Sequence, residues 1–260
     1  MSTATGTIAG VNGNLITVQF DQPVTQSEVG YARTGDIMLK SEVIRIRGAN
    51  AELQVFEDTT GLKVGDPVEF SGNLLAVELG PGLLAQVYDG LQNPLPKLAE
   101  QCGFFLQRGT YLKALDRETK WDYTPQARRG DEVQAGDTLG TVPEGIFQHR
   151  IMVPFRLTGK WKVVDTTPAG SYPVTHVVAK LKGERGEEVA VTMMQEWPVK
   201  VPIRAYAERL RPVEPLVTKV RVIDTFFPVA RGGVYCIPGP FGAGKTVLQQ
   251  ITSRMRMWIL

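Results

Sequence analysis

Eight residues, Gly239-Pro240-Phe241-Gly242-Ala243-Gly244-Lys245-Thr246, have the types and spacing to hold phosphate. They match the pattern G-x-x-x-x-G-K-[ST] at every fixed position. Glycine lets the main chain wrap closely around an anion, because a Cβ would block both the approach and the positive φ angles required. The exposed N–H groups, with the positive end of a following helix dipole, then face phosphate oxygens. A lysine in the Lys245 position reaches β/γ-phosphates, and a hydroxyl in the Thr246 position is a Mg²⁺ ligand. The sequence thus points to ATP or ADP with Mg²⁺ as cofactors. The alternative is a chance glycine-rich turn ahead of an ordinary helix.

The flanking residues argue against that alternative. Val234-Tyr235-Cys236-Ile237 is short, apolar and rich in strand formers, and predicts a strand entering the loop. Cys236 is expected there as a small buried hydrophobe. After the loop, Val247, Leu248, Ile251 and Met255 recur at helical spacing, which predicts one apolar helix face following Lys245. Upstream, Leu216 to Phe227 predicts a short helix ending near Pro228, with Gly232-Gly233 turning into the strand. Pro198, Pro202, Pro212 and Pro215 mark an extended connector before it.

The chain has 260 residues, enough for one or two domains with a sizeable core. Hydrophobic residues at 43% and charged residues at 22% are ordinary for a globular protein. A net charge of +2 gives no basic surface, so nucleic acid is excluded as the main partner. Cys102 and Cys236 form no metal or disulfide framework. No window is long and apolar enough for a membrane span, and Met1 to Gly13 lacks a signal-peptide layout, which leads to the expectation of a cytoplasmic location.

From Gly6 to about Ser71 the sequence reads as short strands broken by turns. Gly6–Ile8 and Leu15–Phe20 flank an Asn12-Gly13 hairpin signal. Residues 42–47 and 52–56 alternate apolar with charged or polar side chains, and Gly61 to Asp66 supplies turn chemistry before Pro67 to Phe70. Several strands without a helix predict a small closed barrel, read as a packing or assembly module. Leu75–Leu79 predicts another strand. Leu83, Leu84, Val87 and Leu91 have the spacing of a short helix closed by Pro94 and Pro96. A second strand-rich block runs from about Phe104 to Trp197. It contains two similar turn-and-strand units, Arg129–Val133 and Ala135–Gly140, and a charged hairpin tip at Gly183 to Glu188. His149 and His176 have no ligand partners at metal spacing and are expected to be structural. Trp121, Trp161 and Trp197 are expected as core or interface anchors.

Several separated stretches are similar to one family. Arg221-Val-Ile-Asp-Thr-Phe-Phe-Pro-Val-Ala-Arg-Gly-Gly233 and Ile237-Pro-Gly-Pro-Phe-Gly-Ala-Gly-Lys-Thr-Val247 resemble the catalytic A subunit of V/A-type rotary ATPases and ATP synthases. So do Glu78-Leu-Gly-Pro-Gly-Leu-Leu84, Asp89-Gly-Leu-Gln-Asn-Pro-Leu95, Leu139-Gly-Thr-Val-Pro-Glu-Gly145 and Ile151-Met-Val-Pro154. The Pro-Phe inside the loop separates this family from the F-type β subunit. The resemblance implies an α+β, mostly β, fold over this portion. It would comprise an N-terminal β-barrel over 1–72, a first nucleotide-domain part and connector over 73–110, and an all-β insertion over 111–197. The start of a RecA-like P-loop α/β domain would occupy 198–260. It further implies that Lys245 holds the γ-phosphate, that Thr246 holds Mg²⁺, and that Gly239, Pro240, Phe241, Gly242, Ala243 and Gly244 form the cradle with Val247 at the helix start. The implied partners are B subunits in an alternating A₃B₃ ring, central stalk subunits and, indirectly, a membrane ion-translocating sector. The soluble sector lies peripheral to the membrane. The family usually has Thr-Gly-Gln-Arg where this sequence has Thr218-Lys219-Val220-Arg221.

The family places its catalytic glutamate, Walker-B aspartate and adenine pocket beyond the loop and its first helix, and draws an arginine finger from the B subunit. Weak or absent hydrolysis is therefore expected of the 260-residue chain by itself. Residues Met255-Arg-Met-Trp-Ile-Leu260 do not resemble the family. They equal the family's Asn-Ala-Asp-Val-Asp-Ile codons read one base later, so a frameshifted or prematurely ended product is expected. Two other functional classes compete with the catalytic subunit. One is another RecA-type ring motor, such as an F-type β subunit or a hexameric helicase, which the long all-β insertion disfavours. The other is a non-catalytic assembly fragment that binds B-type subunits through the barrel.

Overall fold

A computed structural model describes residues 4–206, 208 and 210–255. The chain divides into two compact units, Met1–Ala205 and Tyr206–Leu260. In the first, the elements run β1 (Thr5–Asn12), β2 (Leu15–Phe20), β3 (Glu28–Thr34), β4 (Ile37–Arg47), β5 (Asn50–Val55), β6 (Pro67–Leu74), β7 (Ala76–Leu79) and α1 (Leu95–Cys102). Then follow β8 (Lys120–Pro125), β9 (Glu132–Val133), β10 (Thr138–Glu144), β11 (Phe147–Met152), β12 (Trp161–Thr166), β13 (Gly170–Pro173), β14 (Val177–Gly183), β15 (Glu188–Thr192) and β16 (Gln195–Pro198). The second unit holds α2 (Arg221–Phe226) and α3 (Lys245–Met255).

Strands β1 to β6 close into a barrel in the order β1-β2-β5-β4-β3-β6, every pair antiparallel, which leaves no free edge. The alternation seen in the sequence becomes an inward row: Ile16, Val18, Leu39, Val43, Leu53, Val68 and Phe70 are all buried in one core. The first hairpin pairs Asn12 with Leu15, so its turn is Gly13-Asn14 rather than being centred on Asn12-Gly13. Strand β4 runs five residues ahead of the expected Glu42 start, because Ile37 to Ser41 pair with β3.

The second block forms two four-stranded sheets, β11-β10-β8-β13 and β15-β14-β12-β9, joined by two apolar clusters that each draw on both sheets, one around Leu139 with Leu181 and one around Tyr123 with Val178. The charged tip Gly183 to Glu188 joins β14 to β15 as expected, with Lys182 opposite Glu188. The similar turn units are the same device used three times. In Lys63–Asp66, Arg128–Asp131 and Gln134–Asp137, the aspartate N–H donates to the first residue's carbonyl and its carboxylate accepts that residue's N–H at 2.8 Å. The third residue of each is a glycine at φ between 87° and 99°, the conformation a type II turn demands. Strand β7 pairs with β16, so the two ends of the insertion leave and return as one antiparallel ribbon.

The helix expected over Leu83–Leu91 does not form; the segment is turns, and the helix begins only at Leu95. Polar side chains compete successfully for the backbone here. Asp89 Oδ1 accepts the N–H groups of Leu91 and Asn93, and the Gln92 amide bonds both the N–H and C=O of Glu78. Pro96 starts the helix instead of ending one, since a missing N–H costs nothing in the first turn. The two histidines have protein partners: His149 Nδ1 lies 2.6 Å from Glu144 Oε2 and the His176 ring stacks on Tyr172 at 4.2 Å. Trp161 is buried and donates to Thr158 O, and Trp197 packs edge-on against Phe155, as anchors should.

Among the described residues no helix is long and apolar enough to cross a membrane.

Candidate functional site

In the second unit, α3 begins at Lys245, so the glycine-rich loop is the segment that feeds its first turn. Gly242 and Gly244 sit at φ 80° and 81°, and nothing lies within 4 Å of where a Cβ would be on either. Their need for glycine is therefore one of backbone conformation, with open space above the main chain. The turn is closed by Ala243 N–H donating to Pro240 O, and the helix is entered by Leu248 N–H donating to Gly244 O. Lys245 extends back over the loop and its ammonium donates to Gly239 O at 2.6 Å and Pro240 O at 2.5 Å. The one cationic group of the motif is thus held against the loop it would share with an anion.

The motif residues lie together as one continuous surface. Gly239, Pro240, Phe241, Gly242, Ala243 and Gly244 are exposed, Thr246 and Val247 are exposed on the first turn of α3, and Lys245 is half-buried. Phe241 is 105% exposed and packs on nothing. The loop's main chain, the start of α3 and the Lys245 ammonium thus lie beside one another, with Ala243 N–H taken by Pro240 O. Thr246 offers a hydroxyl beside them. No group of three or more His, Cys, Asp or Glu side chains fit for a metal occurs among the described residues.

Two expectations around the loop require correction. Val234–Ile237 is not a strand: it is irregular chain without a ladder partner among the described residues, and Val234 is 100% exposed. A strand exists only through a neighbour's hydrogen bonds, and propensity cannot supply one. For the same reason Cys236 is exposed, where a buried position was expected. On α3, Val247 and Ile251 are exposed and Leu248 half-buried, so the helix has its apolar stripe without a covering layer; the Met255 side chain and residues 256–260 lie outside the described residues.

Upstream, α2 takes the expected place and ends at Phe226. Its Asp224 accepts three bonds, from Thr218 N–H at 2.9 Å, Thr218 Oγ1 at 2.6 Å and Lys219 N–H at 2.9 Å. Those bonds, the Thr218 hydroxyl first, hold the Asp224 carboxyl below the usual carboxylate range. The knot places Lys219 at φ 60°, a conformation that disfavours a side chain. A glycine at position 219 would adopt that φ without the penalty. Leu216 N–H to Val229 O and Arg231 N–H to Glu214 O then bring the two sides of the loop's approach together, with Ile223 and Val229 buried.

In the first unit the motifs that carry the resemblance prove to be joints. Glu144, buried, accepts from Gly82 N–H at 2.6 Å and Leu84 N–H at 3.2 Å while its other oxygen meets His149. Glu78 pairs with Arg117 and accepts Leu115 N–H. Asn93, buried, accepts Leu112 N–H. The sequence reading missed the Glu144–His149 contact. Its signal was the hairpin Glu144-Gly145-Ile146-Phe147, which puts residues 144 and 149 on one diagonal of β10 and β11.

Comparison with known proteins agrees along the chain. The model of the ATP synthase alpha/beta family beta-barrel domain matches residues 8–72, and that of the ATP synthase alpha/beta subunit barrel-sandwich domain matches residues 112–200. The V-type ATP synthase alpha chain of Treponema denticola is 61% identical over 254 residues, covering 98% of this chain and 43% of the relative. Alpha chain 1 of Treponema pallidum is 58% identical with the same coverage, and the Borrelia turicatae alpha chain is 55% identical over 96% of this chain and 44% of its own length. The chain thus spans less than half the length of the curated relatives it matches. It belongs to the V-type ATP synthase alpha chain family, of which it is an N-terminal portion.

Proposed function

We propose that this chain is the N-terminal portion of the catalytic subunit of a rotary ATPase or ATP synthase, which makes or hydrolyses ATP coupled to proton or sodium transport. On this reading its loop Gly239–Thr246 holds the phosphates of ATP or ADP. The single observation that carries the reading is a helix starting at Lys245 behind two positive-φ glycines, with the Lys245 ammonium within hydrogen-bond reach of the loop. The amides of the loop would face the phosphate oxygens and Lys245 would exchange its two carbonyl partners for the β/γ-phosphates. Thr246 would supply the protein's hydroxyl to Mg²⁺, which neutralises charge on the phosphates when bound. In this reading the start of a RecA-like sheet follows the approach segment, so Val234–Ile237 becomes a strand when its neighbours are in place, and the α3 stripe is covered. The barrel contributes to an A₃B₃ ring with B subunits, and the central stalk and membrane sector couple to that ring. The subunit then acts at the membrane periphery, on the cytoplasmic side. The domain division 1–72, 73–110, 111–197 and 198–260 belongs to the same reading.

The test is a chimera. Residues 1–254 of this chain replace the matching segment of a V-type ATP synthase alpha chain, and the ring is assembled with its B subunits. ATP hydrolysis is expected, and Lys245→Ala is expected to lower kcat by about 100-fold or more, the scale for removing one preorganised transition-state donor. An assembled chimera whose turnover is indifferent to Lys245→Ala contradicts the proposal.

A further inference from the structure

Strand β4 alternates its side chains between the two sides of the barrel wall. Leu39 and Val43 lie in the core, so Glu42, one residue before Val43, is directed outward. An outward carboxylate normally meets water, yet the Glu42 side chain is 7% exposed. Among the described residues no aligned hydrogen-bond donor reaches its Oε1. What stands there is the Lys200 ammonium, 2.6 Å away, on a side chain that is 56% exposed. The pair is asymmetric: a buried carboxylate is held by the charge of a half-exposed lysine. Its cross-strand neighbours, Val29 on β3 and Gln54 on β5, carry no charge. Lys40, on the same side of β4, stands over the Tyr111 ring.

Lys200 lies in the turn that follows β16. Val199 N–H donates to Leu75 O at 2.8 Å, Val201 N–H donates to Pro198 O at 3.2 Å, and the Trp197 indole donates to Val201 O at 2.8 Å. That turn presents Lys200 to the barrel. Beyond it the chain is held lightly. Among the described residues no hydrogen bond and no other ion pair joins residues 199–205 to strands β1 to β6. Val199, Val201 and Ile203 remain exposed. Removing the Lys200 charge would leave a buried carboxylate unpaired, which destabilises far more than loss of an exposed pair. Every barrel strand has a ladder on both sides, whereas the turn adds to the β7–β16 ladder a single main-chain bond, to Leu75. Water therefore reaches Glu42 more readily by lifting the turn than by opening the barrel.

We propose that Glu42 and Lys200 form a charge-operated latch, which holds the chain after β16 against the barrel and frees it when the lysine charge is lost. The latch lies within Met1–Ala205 and does not rest on the function proposed for the glycine-rich loop.

The test compares the 260-residue chain with its Lys200→Met variant and with the double variant Lys200→Met and Glu42→Gln. Amide hydrogen exchange reports on the turn at Val199 and on the barrel at Leu39 and Val43. Lys200→Met is expected to quicken exchange at Val199 by about tenfold or more while the barrel amides keep their rates. Adding Glu42→Gln is expected to restore most of the protection, because a neutral amide needs no counter-ion. Exchange at Val199 that is unchanged by Lys200→Met, that quickens together with Leu39, or that Glu42→Gln fails to relieve overturns the proposal. Should Lys200→Met fail to fold, the parent chain decides. Sodium chloride screens a half-exposed pair, so raising it should quicken Val199 and not Leu39, and an indifferent Val199 overturns the proposal.

Discussion

The barrel and the loop-bearing unit differ in how they obtain their order. In the barrel each strand has two neighbours, and its inward side chains meet one another: Ile16, Leu39, Leu53 and Val68 are fully buried. In the second unit Ile223 and Val229 are the buried hydrophobics among the described residues, while Val247 and Ile251 on α3 stay exposed. One region is stabilised by closure and burial. The other is held by hydrogen bonds at a few joints, with the Asp224 knot foremost. The chemistry-bearing residues belong to the second region. A scaffold of complete β-structure can therefore be stable while the segment proposed to hold phosphate remains locally open, as binding elements generally are.

This contrast can be broken most forcefully in the β core. Leu53→Ala should cost about 2–5 kcal/mol in denaturant unfolding, because a fully buried leucine leaves a cavity. Val247→Ala, at 58% exposure, should change stability by less than about 0.5 kcal/mol. Comparable costs at the two positions would contradict the contrast. Close in size is Gly140→Ala, where a Cβ would stand 2.4 Å from the Tyr123 ring and 2.6 Å from Thr124 O. Overpacking of this kind should cost about 1–3 kcal/mol or more and disturb β10 and β8, read as lost amide protection in those strands.

A smaller effect sharpens the other side. Lys219→Gly relieves a side chain at φ 60° and should stabilise the α2 region by about 1 kcal/mol, measured by hydrogen exchange of Ile223 and Phe227 amides. Slower exchange is the expected result, and faster exchange would mean that the positive φ is not maintained in solution. The smallest is pH. Asp224 titrates below its ordinary range, so its contribution is whole above the unfolded carboxylate pKa, near 4, and is lost as pH falls through the lower folded value. Exchange at Lys219 and Val220 should therefore quicken, relative to its intrinsic rate, only on acidification below about pH 4. The effect should vanish in Asp224→Asn.

What the sequence made legible follows the same division. Barrel strands could be read because alternation and burial coincide there, as in Leu53 and Val55 of β5. The charged β14–β15 tip and the recurring Gly-Asp turns could be read because their chemistry is local. The Leu83–Leu91 helix could not be judged correctly from periodicity, since the outcome turned on long-range bonds from Gln92 to Glu78 and on Asp89. The loop and α3 were legible from spacing alone, whereas Val234–Ile237 was read as a strand on propensity that no neighbour completes here. Lys219 is the reverse case: a departure from the family's glycine, visible in the sequence, whose meaning came only with its φ.

The most direct measurement on the central claim is a ¹H–¹⁵N titration of the chain with Mg-ATP at pH 7. Saturable shifts confined to Gly242, Ala243, Gly244, Lys245 and Thr246, absent in Lys245→Ala, are the predicted result. Loop amides that do not respond to Mg-ATP, or that respond equally without Lys245, would contradict the account.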